Sequence, residues 1–289
     1  MTNDSIPVTP SLEAGEKDDL ARFRDAGHRL AQSIRSVTTK GNQKTQSPSI
    51  KARRKALRAA IAKAAAAGRS DEQQQYIKWL LDNARLVYAS EQQTREFVLD
   101  PSLPVVTDES GNQTLRTSLI AREYLRQTGN GYRDDSFLAF LGGFQQVSIL
   151  SMAEGWGLRP ALQLELINRI TDSAASEWPG VITSLRLIAE TSWKELFEAA
   201  SVTNRILISD PAATFARMDF ESRENYRTVI GNLAKYSALA EHEIAAAAIE
   251  FAKQAAAVSD GSRAAIRRTH VGFYLVDKGL PTLEAAAQY

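Results

Sequence analysis

The densest chemistry in the chain lies between Asp210 and Ile230, in DPAATFARMDFESRENYRTVI. Arg217, Arg223 and Arg227 could form an anion clamp, because a guanidinium fork matches carboxylate and phosphate oxygens. Asp210, Asp219, Glu221 and Glu224 stand in the same stretch, and such acids would satisfy the arginines without a ligand. Asp219 precedes Arg223 by four residues and Arg223 precedes Arg227 by four, so a helix would put neighbours on one face. The expectation is a helix–turn–helix corner held by Arg217, Asp219, Arg223 and Arg227, with an anion contact as the alternative.

A second candidate is Trp156 between two glycines, with Glu154 beside it. Trp156 could stack on a sugar ring, but tryptophan usually plugs a core. Glycosidic chemistry needs two carboxylates at a set separation, and the sequence places only Glu154. The remaining motifs fail. A zinc-protease helix built on His242 and Glu243 would need histidine at 246, where Ala246 stands. Asp134-Asp135 lacks the third acid, Leu138 being there, that an aspartate-rich magnesium motif wants, and reads as a helix N-terminal cap. There is no phosphate loop and no cysteine. No catalytic residue, cofactor or metal is expected.

The elements that position these residues read as helices. Residues 1 to about 20 are polar, a helix begins near Asp18 and fades by Ser36, and Ser36–Ser49 has linker composition. IKARRKALRAAIAKAAAAGRS follows as a basic alanine-rich helix ending at Gly68. Ile77, Leu80, Leu81, Ala84 and Tyr88 form a stripe on one helix from Asp71 to about Phe97. Further helices are expected over Leu115–Gln127, stopped by Gly129, and over Ser136–Met152. EGWGLRP should turn the chain, Pro160 should open a helix to about Ala174, and Pro179-Gly180 should break it again. A capping box at Ser192–Glu195 starts a helix through Ile208, and Asp210-Pro211 starts another. Asp219 or Ser222 caps the helix carrying Tyr226, Val229, Ile230, Leu233 and Ala234. With no alternating run for a sheet, the fold is all-α, a multi-helix bundle or stacked helical hairpins of about nine to eleven helices.

The 289 residues carry a net charge of +1, which argues against nucleic acid as a partner. There is no secretory signal and no apolar run of membrane-spanning length. The basic segment 51–63 reads as a solvated helix face, with an anionic lipid surface as the other reading. The chain divides into a flexible or partly helical segment 1–48, the basic helix 49–70 and a helical domain 71–289.

Several segments resemble the cyclic beta-1,2-glucan synthase family. They are WLLDN with EQQTRE, FLAFLGGFQ, AEGWGLRPALQLELINRI, ITSLRLI, SWKELFEAASVTNRIL, the Asp210–Ile230 stretch, and RRTHVGFYLVDKGLPTLE. Their order is the family's order, and they run from about residue 72 to the end. Gly155 stands where a larger apolar residue is usual, and Ala240 where a capping serine is common. The resemblance is to the region ahead of the family's membrane helices. It implies a non-catalytic N-terminal cytoplasmic module, or a truncated or split product, at the inner face of the bacterial inner membrane. The implied partner is the membrane and glycosyltransferase portion of the same or a companion chain, which makes periplasmic glucan from UDP-glucose. The alternative is a free-standing helical adaptor for a protein partner.

Overall fold

The computed structural model describes residues 10–38, 50–67, 71–99, 102–107, 111, 113–172 and 174–289. The chain is all-α in the main and divides into two compact units. The first comprises Met1–Ile149 and Trp156–Ser192, the second Leu150–Gly155 and Trp193–Tyr289. In chain order the elements are α1 (Pro10–Ser33), β1 (Ser36–Thr38), α2 (Ile50–Ala67), α3 (Asp71–Asp82), α4 (Ala84–Leu99), β2 (Val105–Thr107), β3 (Gln113–Leu115), α5 (Arg116–Gln127), α6 (Asp134–Phe144), α7 (Met152–Asp172) and α8 (Trp178–Glu190). They continue with α9 (Trp193–Ala200), α10 (Val202–Ile208), α11 (Phe220–Tyr236), α12 (Glu241–Ala257), α13 (Arg263–Arg268), α14 (Gly272–Val276) and α15 (Leu280–Ala287). Fifteen α-helices among the described residues exceed the nine to eleven expected, partly because Asn83 and Ser201 each cut an expected helix in two and partly because the last stretch folds as three short helices, α13 to α15.

In the first unit Tyr124 and Phe137 pack at 4.8 Å between ring centres, with Phe140, Phe144, Ile120 and Leu125 fully buried around them. Helix α1 lies against α6 so closely that Gly27 faces the Phe140 carbonyl and Gly143 faces the Arg24 carbonyl. A side chain at either position would meet backbone. Helix α1 begins at Pro10, earlier than the expected start near Asp18. Of the expected stripe Leu80 is buried, Ile77, Ala84 and Tyr88 are half-buried and Leu81 is exposed, while Val87, outside that stripe, is fully buried. The expected continuous helix from Asp71 is interrupted at Asn83, whose backbone N–H and side-chain amide both donate to the Trp79 carbonyl, at 3.2 and 2.8 Å.

The expectation of no strands is corrected. A small antiparallel sheet of order β1-β2-β3 pairs Val37 with Val106 and Val106 with Thr114. Three-residue strands are too short for alternation to show in sequence. Ser36–Thr38 therefore leaves the expected linker, and residues 39–49 lie outside the described residues, as do residues 1–9 and Gly68. Gly129 stops α5 as expected, with φ +58.

The region around Trp156 is the largest departure. Helix α6 ends at Phe144, not near Met152, and α7 runs unbroken through Gly155, Gly157 and Pro160. The glycines there serve close packing. A Cβ on Gly155 would lie 2.7 Å from the Phe197 ring, and one on Gly157 would lie 3.1 Å from the Phe97 ring. Burial of Leu158, Ala161, Leu162 and Leu166 overrides the penalty of an internal proline. Pro179 likewise does not break a helix; it sits in the first turn of α8, where its missing N–H is harmless.

In the second unit Ser201 ends the expected run to Ile208 early and caps α10, accepting from Asn204 N at 3.1 Å. The core gathers Leu207, Phe215, Ile230, Ile244, Ala248 and Leu275. On α11 the expected stripe holds, with Tyr226, Ile230 and Leu233 buried and Val229 and Ala234 packed beside them.

Candidate functional site

The functional candidates of the second unit cluster on α11. Asp219 caps that helix as expected, accepting from Ser222 N and Ser222 Oγ, each at 2.8 Å. It therefore serves the helix start, and Arg223 pairs instead with Glu198 of α9 at 3.0 Å. Arg227 is wholly buried. Its Nε donates to Glu224 at 2.8 Å, and its Nη1 donates to Glu198 at 3.2 Å and to Asn204 at 3.0 Å. The guanidinium also lies 4.9 Å from the Phe220 ring centre and 5.3 Å from that of Phe197. Arg217 stays on the surface and donates to the Ala213 and Ala212 carbonyls at 2.9 and 3.3 Å. So Arg223 and Arg227 converge on Glu198, while Arg217 and Asp219 spend their hydrogen bonds locally.

Next to Arg227 in sequence, Tyr226 enters a second network that the sequence did not signal. The Asp210 carboxylate is buried and accepts from Val271 N at 3.0 Å, Thr214 N at 3.1 Å and Phe215 N at 3.3 Å. Its Oδ2 meets His270 Nδ1 at 2.9 Å, and His270 Nε2 meets the Tyr226 hydroxyl at 3.1 Å. Asp210 was expected to start a helix at Pro211. It does accept free N–H groups, but of a turn leading to a short 3₁₀ segment, Phe215–Arg217. Burial works against the Asp210 charge, yet the His270 hydrogen bond, the Val271 N–H and the His270 charge together hold its pKa below the ordinary value. Burial and the Asp210 charge push the Tyr226 hydroxyl up.

A carboxylate that orients an imidazole is the arrangement of acid–base relays. Here the third member is closed off. Gly272 lies against the Tyr226 hydroxyl and His270 Nε2 so tightly that a Cβ would collide with the hydroxyl. What the network does is join three segments, the turn after Asp210, helix α11 and the start of α14.

Glu154 is buried, and its Oε2 accepts from Ser151 N at 3.0 Å and Ser151 Oγ at 3.1 Å. Ser151-x-x-Glu154 is a capping box for α7, Glu154 N donating in turn to Ser151 Oγ at 3.3 Å, and its signature was overlooked because residues 136–152 read as one helix. A second carboxylate does approach it. Glu241 accepts from Met152 N at 2.7 Å, and burial followed by the Glu154 charge raises its pKa to about 7. Trp156 is 37 % exposed on α7 and so is not the core plug expected. Among the described residues no cluster of three histidines, cysteines or acids could hold a metal.

Fold and site together define a helical protein whose strongest polar groups bind one another. No protein-family model matches the chain. Over 122 residues, 42 % of the chain, it is 34 % identical to the cyclic beta-(1,2)-glucan synthase NdvB of Rhizobium meliloti (strain 1021). That stretch is 4 % of the relative's length. The similarity supports a relationship to that synthase. Among the described residues no helix is long and apolar enough to cross a membrane.

Proposed function

We propose that the chain is a non-catalytic helical module of cyclic β-1,2-glucan synthesis. It acts on the cytoplasmic side of the inner membrane, beside the membrane and glycosyltransferase portion of the same or a companion chain. The observation that carries this reading is the 34 % identity over 122 residues to a cyclic β-(1,2)-glucan synthase. The turning of Arg227 and Arg223 onto Glu198 suits a rigid docking body better than a substrate clamp. The test has two arms. The purified chain should make no glucan from UDP-glucose, and a tagged form should co-purify with a cyclic glucan synthase from detergent-solubilised membranes. Glucan formation lost on replacing Glu154 or Glu241, or no retention of the synthase, would overturn the proposal.

A further inference from the structure

Asn130-Gly131 is the sequence's one Asn-Gly pair, and such a pair carries its own chemistry. The glycine nitrogen is uncrowded, because no Cβ stands beside it. When it loses its proton it can bond to the asparagine Cγ. The Cγ–Nδ2 bond then breaks, ammonia leaves with that proton, and a cyclic imide closes. Water opens the imide at either carbonyl, leaving an aspartate or its β-linked isomer.

The fold engages each group that the reaction needs. The Gly131 N–H donates to the Thr128 carbonyl at 3.2 Å, so the attacking nitrogen is occupied. Asn130 Nδ2 donates to Glu177 Oε2 at 3.3 Å, which holds the carboxamide that must swing onto that nitrogen. Asn130 Oδ1 is buried and accepts no hydrogen bond among the described residues. Negative charge gathers on this oxygen as the nitrogen adds, and no donor is placed to stabilise it. The backbone is fixed as well. Gly129 and Asn130 have φ +58 and +71, and Asn130 N donates to the Leu125 carbonyl at 2.8 Å, closing the end of α5. Ser184 Oγ of α8 donates to the Asn130 carbonyl at 2.6 Å, and both residues are buried.

We propose that the turn at 128–131 is a latent self-modification site, inert while Ser184 and Glu177 hold it and reactive once it opens. The reaction bars the way back. It replaces the Nδ2 donor with a carboxylate beside Glu177, so a hydrogen bond becomes a like-charge contact. The β-linked isomer also adds a methylene to a backbone already in the left-handed region. A transient opening of the turn is thus converted into a permanent one. The inference does not rest on the glucan reading, and all of its groups lie in the first unit.

Peptide mass spectrometry of the full chain, incubated in mildly alkaline buffer, is the test, reading amide-to-acid conversion at Asn130. The folded wild type should convert at least about tenfold more slowly than the same chain unfolded in urea, because only its open fraction reacts. Ser184→Ala frees the Asn130 carbonyl and Glu177→Ala frees the carboxamide. Each should convert about two- to tenfold faster than the folded wild type, the worth of one hydrogen bond. Glu177 is exposed, so its variant keeps the fold even where Ser184→Ala melts early, and melting curves verify this. Asn130→Asp stands in for the product and should speed hydrogen exchange of the turn amides. Conversion as fast in the folded as in the unfolded chain, no acceleration in Glu177→Ala, or unchanged exchange in Asn130→Asp would overturn the proposal.

Discussion

Arg227 and Arg223 are one helical turn apart on α11, yet their loss should cost very different amounts. Arg227→Gln leaves Glu198 and Glu224 short of a buried cation, a change expected to cost about 3–5 kcal/mol. Arg223 is 19 % exposed and shares only Glu198, so Arg223→Gln should cost about 1 kcal/mol, and Arg217→Gln about 0–1 kcal/mol. Ile230→Ala in the buried stripe should cost about 2–5 kcal/mol. Urea unfolding of the four variants gives the ranking. If Arg223→Gln and Arg227→Gln melted no lower than the wild type, the corner would be a ligand clamp with its charges held apart at a cost. The shared face of Arg223 and Arg227 was legible from their four-residue spacing, but the same spacing pointed Arg223 to Asp219, which caps the helix instead. The partner Glu198 was not legible, since nothing local ties it to Arg227, and His270 was hidden in the same way, sixty positions from the carboxylate it meets.

Among the elements, the adjacent glycines of α6 make the sharpest test, because they should respond with opposite signs. Gly143 faces the Arg24 carbonyl of α1, so Gly143→Ala should push the helices apart and cost about 1–3 kcal/mol or more. Gly142 has open space around it, so Gly142→Ala should stabilise by about 0.5–1 kcal/mol through helix propensity alone. Thermal melting of the two variants decides, and equal shifts would contradict the close crossing. The N-cap of α12 offers a second case. Ala240 N donates to Glu243 at 2.7 Å, which is half of a capping box. Ala240→Ser should supply the other half, an acceptor for Glu243 N, and add about 0.5–1 kcal/mol. Sequence reading found elements where a cap or stripe is local, as at Asp219 and Gly129. It failed at Gly155, Pro160 and Pro179, where residues that break isolated helices are kept by packing from distant parts of the chain or by their place in a first turn.

For the whole molecule, two carboxylates of the second unit pull stability in opposite directions with pH. Asp210 has its folded pKa below the ordinary 3.8, so its contribution is fully present above that value and is lost as pH falls through the folded one. Glu241 is the reverse. Burial and the Glu154 charge raise it from 4.5 to about 7, against the opposing pull of the Met152 N–H and Lys235. Between those values the folded chain holds a proton that the unfolded chain has released, so stability falls as pH rises through the window. The full fall would be about 3 kcal/mol, reduced by whatever water reaches the half-buried carboxylate. These two groups together place the stability optimum on the acid side of neutrality. Glu241→Gln keeps an acceptor for Met152 N while removing the charge, so it should match the wild type near the acid end of the window and exceed it above the window. Urea unfolding of both proteins across the range measures this. A variant whose stability drops with pH as steeply as the wild type would show that Glu241 is not the group responsible, and that the carboxylate pair at the start of α7 is better solvated than its burial implies.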